Sequence, residues 1–347
     1  MNKAEDINLI KKNPLVTFAL FSYNQEMYIR EAVESALAQT YEPLEIIISD
    51  DCSTDRTFDI IQEVVRSYRG YHRVVTVKNE ENLGVLTHVL RRGSEALGEF
   101  IIMAAGDDIS LPNRTTIIVE RFLQNNEALC ITSDYDLIDP ASNLVGQNLK
   151  HALLTNNGKV ANNFLNNILF PYTVIQGSTA AYRRNLYHQA LPPFELPFAE
   201  DNYFNFLIYL LGGYVEQVDQ TLVKYRIHPN ALSNRGKKTI SVEDAETYAS
   251  SAAYRQMKKM EVFLWLADHH AATQRVDINA IRAELRKNKI IFDWRCLRVW
   301  NRLIATALSF SMFRTQQMKW QAFRLFGTFP RYQPKTFLSK FQGRYQR

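Results

Sequence analysis

Two acidic clusters about fifty residues apart are the residues of this chain best placed to do chemistry. The first, Asp50-Asp51-Cys52-Ser53-Thr54-Asp55, follows the apolar run Leu44 to Ser49, and the second, Gly106-Asp107-Asp108, follows Phe100 to Ala105. In an open α/β sheet the crevice outside the carboxyl ends of the strands is where ligands bind, so carboxylates delivered there by two strands can act on one ligand. A pair such as Asp107-Asp108 is costly to bury bare, and a divalent cation bridging to phosphate oxygens would offset that cost. The two clusters therefore predict a metal and a nucleotide.

The elements that must position them follow from periodicity. Val16 to Phe21, Leu44 to Ser49, Tyr71 to Val77, Phe100 to Ala105 and Ala128 to Thr132 read as short apolar strands. Glu26 to Gln39, Arg56 to Arg69, Val85 to Leu97 and Asn113 to Asn125 show helical spacing between them. Four alternations of strand and helix predict an α/β fold with a doubly wound, mostly parallel sheet and right-handed crossovers. Ser53 or Thr54 can cap the second helix, Gly70 and Gly98 follow helix ends, and Pro112 opens a first turn. The Asn-rich stretch from Asp134 to about Leu165 reads as loop. Order resumes in a strand-like Tyr172 to Tyr182, a helix from Glu200 to Leu211 and a strand-like Tyr214 to Tyr225. Beyond about Gly236 the pattern is helical, clearest from Val242 to Asp268, so a domain of residues 1–235 and a helical region of 236–347 are expected.

The 347 residues, 46% hydrophobic and 22% charged, are enough to bury a sizeable core. Cys52, Cys130 and Cys296 are odd in number and lack CxxC spacing, which argues against a disulfide framework or a zinc site and fits a reducing compartment. The charged N-terminus around Ile7 to Ile10 does not read as a signal peptide, and the uncharged run Leu303 to Phe313 is too short to cross a bilayer. Net charge is unevenly divided. From Arg286 onward fourteen Lys or Arg face one acid, Asp293, so the first 285 residues carry −8 of the chain's overall +5.

Phe21-Ser22-Tyr23-Asn24, Tyr28-Ile29, Glu34-Ser35, Gln39-Thr40-Tyr41 and Ile48 to Asp55 together resemble the N-terminal signature of family 2 glycosyltransferases of the GT-A fold. The resemblance continues through Asn82-Leu83-Gly84, Gly106-Asp107-Asp108 with Leu111-Pro112, Gly177-Ser178, Glu200-Asp201 and Tyr225-Arg226-Ile227-His228-Pro229. It spans roughly residues 14 to 234 in order, and it is the ordered set rather than any one piece that is specific.

The resemblance implies a role for each matched position. Asp51 would read the nucleotide base, since a carboxylate accepts from the ring N–H of uracil or thymine, and Asp50 would assist it. Phe21, Ser22, Tyr23, Glu26 and Gly106 would border the donor site, with Asn82, Gly84 and Arg91 along the nucleotide and Gly84 allowing close backbone approach. Asp107 and Asp108, with His228 through a neutral imidazole nitrogen, would hold a divalent cation, Mn²⁺ or Mg²⁺. The family motif is usually Asp-x-Asp, and here Ala105 stands where its first acid would be. Asp201 would be the catalytic base, taking the proton from an acceptor hydroxyl as it attacks the anomeric carbon, with Glu200 orienting a sugar. Arg226 would meet the diphosphate or pair with the acidic residues instead. Each acidic pair also has a plainer reading: Asp50-Asp51 and Glu200-Asp201 as acids at helix N-termini, and Asp107-Asp108 as an Asx turn.

The function implied is inverting transfer of one sugar from a UDP- or dTDP-type donor to a hydroxyl of a glycan acceptor, lipid-linked, in surface polysaccharide synthesis. The Gln-x-x-Arg-Trp motif of processive synthases is absent. A nucleotidyltransferase would need a Gly-rich phosphate loop near the first strand, which is also missing, and Ala105 keeps open a catalytically inactive nucleotide- or glycan-binding module. The basic tail interleaves Trp294, Arg295, Arg298, Trp300, Arg302, Phe310, Phe313, Arg314, Lys319, Trp320, Phe323, Arg324 and Phe326. Such a segment suits an anionic membrane surface, or equally a helical cap with solvated basic faces. No nucleic-acid motif accompanies it. The expected location is cytoplasmic, peripheral on the inner face of the cell membrane.

Overall fold

The computed structural model describes residues 13–148, 175–189, 192–193, 196–229, 231, 242–270 and 276–293. In chain order these form β1 (Val16–Ser22), α1 (Ile29–Leu37), β2 (Leu44–Asp50), α2 (Thr57–Ser67), β3 (Arg73–Lys78), α3 (Val85–Glu95), β4 (Phe100–Ala105), β5 (Ile109–Ser110), α4 (Arg114–Gln124), β6 (Ala128–Ile138) and β7 (Leu144–Asn148). A short 3₁₀ turn, Gly177–Thr179, then precedes β8 (Ala181–Arg183), α5 (Glu200–Leu210), β9 (Tyr214–Arg226), α6 (Val242–His269) and α7 (Ile278–Asp293).

The described strands form one nine-stranded sheet in the order β3-β2-β1-β4-β8-β6-β9-β5, with β7 beside β6. Strands β1 to β4 are parallel, and β6 and β9 form a second long parallel pair. The antiparallel pairings, of β8 with β4 and β6, of β5 with β9 and of β7 with β6, are short. Every residue of β2 is buried, as expected of a strand covered on both faces. Alternate side chains divide between two cores. Phe18, Leu20, Ile46, Ile48, Phe100 and Ile102 pack with α1, α2 and α4, whereas Ala19, Ile47, Ile101 and Met103 pack with α3, α5 and α6.

Crossover handedness explains the division. From β1 the chain steps outward through β2 to β3, then returns to the other side of β1 at β4, so right-handed connections put α3 on the face opposite α1 and α2. The reversal leaves a crevice at the carboxyl ends of β1 and β4, where Ser22 and Ala105 stand in adjacent strands. The fold is a mixed α/β fold of the GT-A type. Helix α6 joins the second of the two cores, with Phe263 stacked on Phe206 of α5 at 4.0 Å.

Three local expectations need correction. The stretch from Asp134 is not all loop: β6 continues to Ile138 and β7 returns alongside it. This is possible because Gln217 of β9 donates to Asp134 Oδ1 at 3.1 Å and accepts from the Thr132 hydroxyl, satisfying polar groups that hydropathy reads as exposed. Within Tyr172 to Tyr182, the described residues from Ile175 make a 3₁₀ turn and only the start of β8. Neither Ser53 nor Thr54 caps α2; Asp55 Oδ1 accepts from Thr57 N at 3.0 Å instead. The basic tail from Trp294 and the loop from residue 149 to residue 174 lie outside the described residues. Among the described residues no helix is long and apolar enough to cross a membrane.

Candidate functional site

At the end of β2, Asp50 is fully buried and Asp51 nearly so. Asp50 Oδ2 accepts from Ser53 N at 2.9 Å, Oδ1 accepts from the Ser53 hydroxyl, and the Ser22 hydroxyl lies 3.4 Å from the same oxygen. Burial pushes the Asp50 carboxyl up from its ordinary value, against the pull of the Ser53 hydrogen bonds. Within the protein Asp50 thus locks the loop that carries Asp51. Asp51 Oδ1 accepts from Asn79 Nδ2 at 2.8 Å and Leu83 N at 2.9 Å, and Oδ2 accepts from Gly84 N at 3.0 Å. The carboxylate thus ties the end of β2 to the Asn79–Gly84 loop. Gly84 has φ +76, and a Cβ added there would meet nothing within 4 Å, so its outer face is open. Asn82 is exposed, its Oδ1 accepting from Gly84 N at 3.1 Å.

The loop after β1 is fastened to the same place. Asn24, at φ 51, accepts from Thr54 N through Oδ1 at 2.9 Å, and its own N–H donates to Ser53 Oγ at 2.8 Å. Glu26 Oε2 accepts from Arg56 N at 3.0 Å, and Glu26 N donates to Asp55 Oδ2 at 3.1 Å. Glu26 thereby braces α2, Tyr23 stays exposed, and Phe21 turns its ring edge-on to His88 at 5.1 Å. Arg91 is exposed on α3 seven residues after Gly84, about 10 Å further along the helix, and is not drawn into the cluster.

After β4, Gly106 is packed where a Cβ would lie 2.4 Å from Gln25 Oε1 and 2.8 Å from Ser22 Cβ. Only glycine lets the acidic loop pass this closely to the β1 loop. Asp107 Oδ2 and His228 Nε2 then stand 3.0 Å apart, although 121 residues separate them in sequence. The Tyr28 ring lies against His228 at 4.6 Å. A spacing of 3.0 Å suits a hydrogen bond, and it also suits two adjacent ligands of an octahedral cation with bonds of about 2.1 Å.

Asp108 does not join that pair. Its Oδ1 accepts from Arg226 N at 2.8 Å, and burial first, then the neighbouring Asp107 charge, pushes its carboxyl well above the ordinary range. The Ser178 hydroxyl is close enough to oppose that shift, yet neither it nor Asp108 Oδ2 completes a hydrogen bond. Among the described residues no group of three His, Cys, Asp or Glu side chains could hold a metal ion, and of the three expected ligands it is Asp107 and His228 whose side chains meet.

Arg226 also departs from expectation. It is buried, donating through Nε to Asp107 O at 2.8 Å and through Nη1 to Asp139 O at 3.1 Å and Ser142 Oγ at 2.9 Å, while Nη2 pairs with Glu31. Its guanidinium lies 4.9 Å from the centre of the Tyr28 ring. Through these groups Arg226 binds the acidic loop, the β6–β7 connection and α1 together. Of its two readings, the pairing with acidic residues is the one observed.

The Gly177–Thr179 turn connects this loop to Glu200-Asp201. A Cβ on Gly177 would lie 2.0 Å from Glu200 Oε1, so the absence of a side chain there is what admits the Glu200 carboxyl. Glu200 is buried, and burial together with Asp201 pushes its pKa up to about 7. The partly exposed Asp201 lies in the first turn of α5, and its Oδ1 lies 2.6 Å from Asn202 N and 2.7 Å from Asn202 Nδ2.

Sequence reasoning missed three buried residues. His88 sits one turn below Gly84 with Nε2 2.6 Å from Ser49 Oγ, and burial pushes its pKa down to about 4. Arg114 of α4 donates to Met103 O at 2.7 Å and Ser110 Oγ at 2.9 Å beneath the acidic loop. Lys259 of α6 donates to Asn202 Oδ1 at 3.3 Å. Nothing in the local sequence marks them, because each is defined by partners far along the chain.

Known proteins share this arrangement of elements. The model of the family described as Glycosyl transferase family 2 matches residues 17–191. An uncharacterized glycosyltransferase of Haemophilus influenzae is 30% identical over 225 residues, covering 64% of this chain and 68% of that protein. An uncharacterized glycosyltransferase of Nostoc sp. is 26% identical over 222 residues, covering 61% and 65%. Among solved structures, S. aureus TarS 1-349 in complex with UDP-GlcNAc superposes with a TM-score of 0.50 at 18% identity, covering 84% of this chain and 83% of that one. With the family model spanning half of the chain and the crevice built from its motif residues, this protein belongs to glycosyl transferase family 2 and is a sugar-transferring enzyme.

Proposed function

We propose that the protein transfers a single sugar, with inversion, from a UDP- or dTDP-linked donor to a hydroxyl of a glycan acceptor. The observation that carries this reading is the approach of Asp107 Oδ2 and His228 Nε2 to 3.0 Å at the mouth of the crevice. An aspartate and an imidazole would supply two of the six positions of an octahedral cation shell, leaving the rest to donor diphosphate oxygens and water, and an imidazole in the set favours Mn²⁺ over Mg²⁺. When bound, the cation would neutralise charge on the departing nucleotide diphosphate.

The remaining work falls to the chain's own residues. The Asn79–Gly84 loop, held by Asp51, borders the nucleotide, with the open face of Gly84 toward the ligand and one lone pair of Asp51 Oδ2 left for a base N–H. Asp201 accepts the proton of the attacking hydroxyl, and one displacement by one base inverts the anomeric centre. Glu200, whose pKa burial pushes up to about 7, can donate to a sugar oxygen. The acceptor is a lipid-linked glycan in surface polysaccharide assembly, and the basic tail holds the enzyme at an anionic membrane face in the cytoplasm.

Asp201→Asn tests the chemistry. Turnover of a panel of UDP- and dTDP-sugars, measured as release of free nucleotide, should fall on the order of a hundredfold to ten-thousandfold with nucleotide affinity nearly unchanged. Wild-type turnover in this variant would remove Asp201 from its role. A two-ligand cation site with Ala105 beside it also suits a nucleotide-binding module without turnover. That module would bind UDP and release nothing from any donor.

A further inference from the structure

Lys259 is an unexpected residue for its place. It lies in the core-facing stretch of α6 that also carries Met257, Met260 and Phe263, and it is only 8% exposed. An ammonium is costly to bury where a Met or Leu is not, so a lysine here calls for a negative partner. Two acids act on it, Asp201 from α5 and Glu284 from α7. Glu284 is already engaged, accepting from Lys287 Nζ at 3.0 Å and Asn288 Nδ2 at 2.9 Å. Lys259 Nζ instead donates to Asn202 Oδ1, the far side of the amide whose Nδ2 lies 2.7 Å from Asp201 Oδ1. The amide is thereby fixed in orientation, oxygen toward the lysine and nitrogen toward the carboxylate.

We propose that Lys259 is a positioning residue of the sugar-transfer site: through Asn202 it aims the Asp201 carboxylate and adds a positive charge near it. The inference rests on Asp201 being the base. Glu200 and Asp201 are adjacent, and two carboxyls so close do not ionise independently. The lysine approaches the pair through the neighbour of Asp201, so it favours ionisation there and leaves the proton on Glu200. Burial pushes the Lys259 pKa down to about 8 while Asp201 and Glu284 pull it up, so the group still carries its charge near neutral pH. A helix beyond the family-matched residues 17–191 would in this way complete the site.

The test needs no knowledge of the donor. In protein labelled with ¹³C at aspartate carboxyls, the Asp201 signal is identified by its loss in Asp201→Asn, and its titration is followed in wild type, Lys259→Met and Lys259→Arg. Methionine keeps the length and apolar burial of the stem, so packing is preserved. The midpoint for Asp201 should rise by roughly one pH unit in Lys259→Met, equivalent to about a tenfold loss of the ionised form below it, and return in Lys259→Arg. An unmoved midpoint in folded Lys259→Met overturns the proposal. So does a midpoint that rises equally in both variants, which would mark a packing effect. Nucleotide release by Asp201→Asn reads the base role separately, so a failure of that reading is distinguishable from a failure of this one.

Discussion

His228 Nε2 and Asp107 Oδ2 meet at 3.0 Å across 121 residues of chain, joining the segment after β9 to the loop after β4. Neither residue arrives there by local propensity. Asp107 is delivered by a parallel strand that ends at Ala105, and His228 by a strand that pairs with β6 and not with β4. Arg226 closes the gap between them, its backbone N–H on Asp108 and its Nε on the Asp107 carbonyl. The contact is thus a product of the whole sheet.

Asp107→Ala should weaken Mn²⁺-dependent UDP binding strongly, and His228→Ala to a lesser degree, since one removes the anionic ligand and the other a neutral one. Calorimetric titration of UDP with Mn²⁺ and again in EDTA separates the effects. Both variants should match wild type in EDTA. Equal losses with and without the metal would show that the pair holds the loop and not a cation.

Asp51→Ala should behave differently, because Asp51 is bound to the protein through Asn79, Leu83 and Gly84. Removing the acceptor strands Leu83 N and the Asn79 side-chain amide, each costing roughly 1–3 kcal/mol if left unpaired, while Gly84 N keeps Asn82 Oδ1. UDP affinity should fall even in EDTA, accompanied by a lower melting temperature. Unchanged affinity in EDTA would detach the Asn79–Gly84 loop from the nucleotide.

The contrast between these residues shows what the sequence could reveal. Strands β1 to β4 and helices α1 to α4 were legible because two-sided burial writes continuous apolar runs, and helix faces write a 3.6 period. The end of β6 was not, since Ser133 and Asp134 look solvated until Gln217 is seen beside Asp134. At the site, residue types announced the acids but not their orientation. Asp50 and Asp51 are neighbours of the same type, yet one faces the protein on all sides and the other ties a loop. Gln39 carries motif identity without chemistry: its side chain donates to Leu111 O at 2.9 Å and accepts from Thr115 N at 3.1 Å, pinning α1 to the start of α4. Such pinning residues recur in motifs for the same reason that catalytic ones do, and one sequence does not separate the two.

Glu200 gives stability a pH dependence. Its folded pKa, about 7, lies above its ordinary 4.5, so the folded state prefers the protonated form. The contribution is complete below about pH 4.5 and is lost as pH rises through about 7, a change on the order of 3 kcal/mol. Glu200→Gln keeps the shape without the proton equilibrium. Denaturant unfolding at pH 5 and pH 8 should show wild type losing stability between them by that amount more than Glu200→Gln. Parallel losses in both proteins would place the titrating group elsewhere.

Removing residues 294–347 tests the basic tail, and α7 ending at Asp293 sets the cut. Those residues carry eleven of the fourteen Lys or Arg beyond position 285 and no acid, so the removed charge is large compared with the overall +5. Each basic group at an anionic surface contributes about 1 kcal/mol, and a few in contact are enough for reversible binding. The full chain should therefore sediment with phosphatidylserine vesicles and not with neutral ones, and added salt should release it as the Debye length shortens. The truncated chain should remain in solution and still release nucleotide from the donor, because none of Asp51, Asp107, Asp201 or His228 lies in the removed segment. A truncated chain that still sediments with anionic vesicles would move the membrane contact elsewhere. One that aggregates without vesicles would mean that the tail covers an apolar face of α6 or α7, which is the work of a structural cap and not of an anchor.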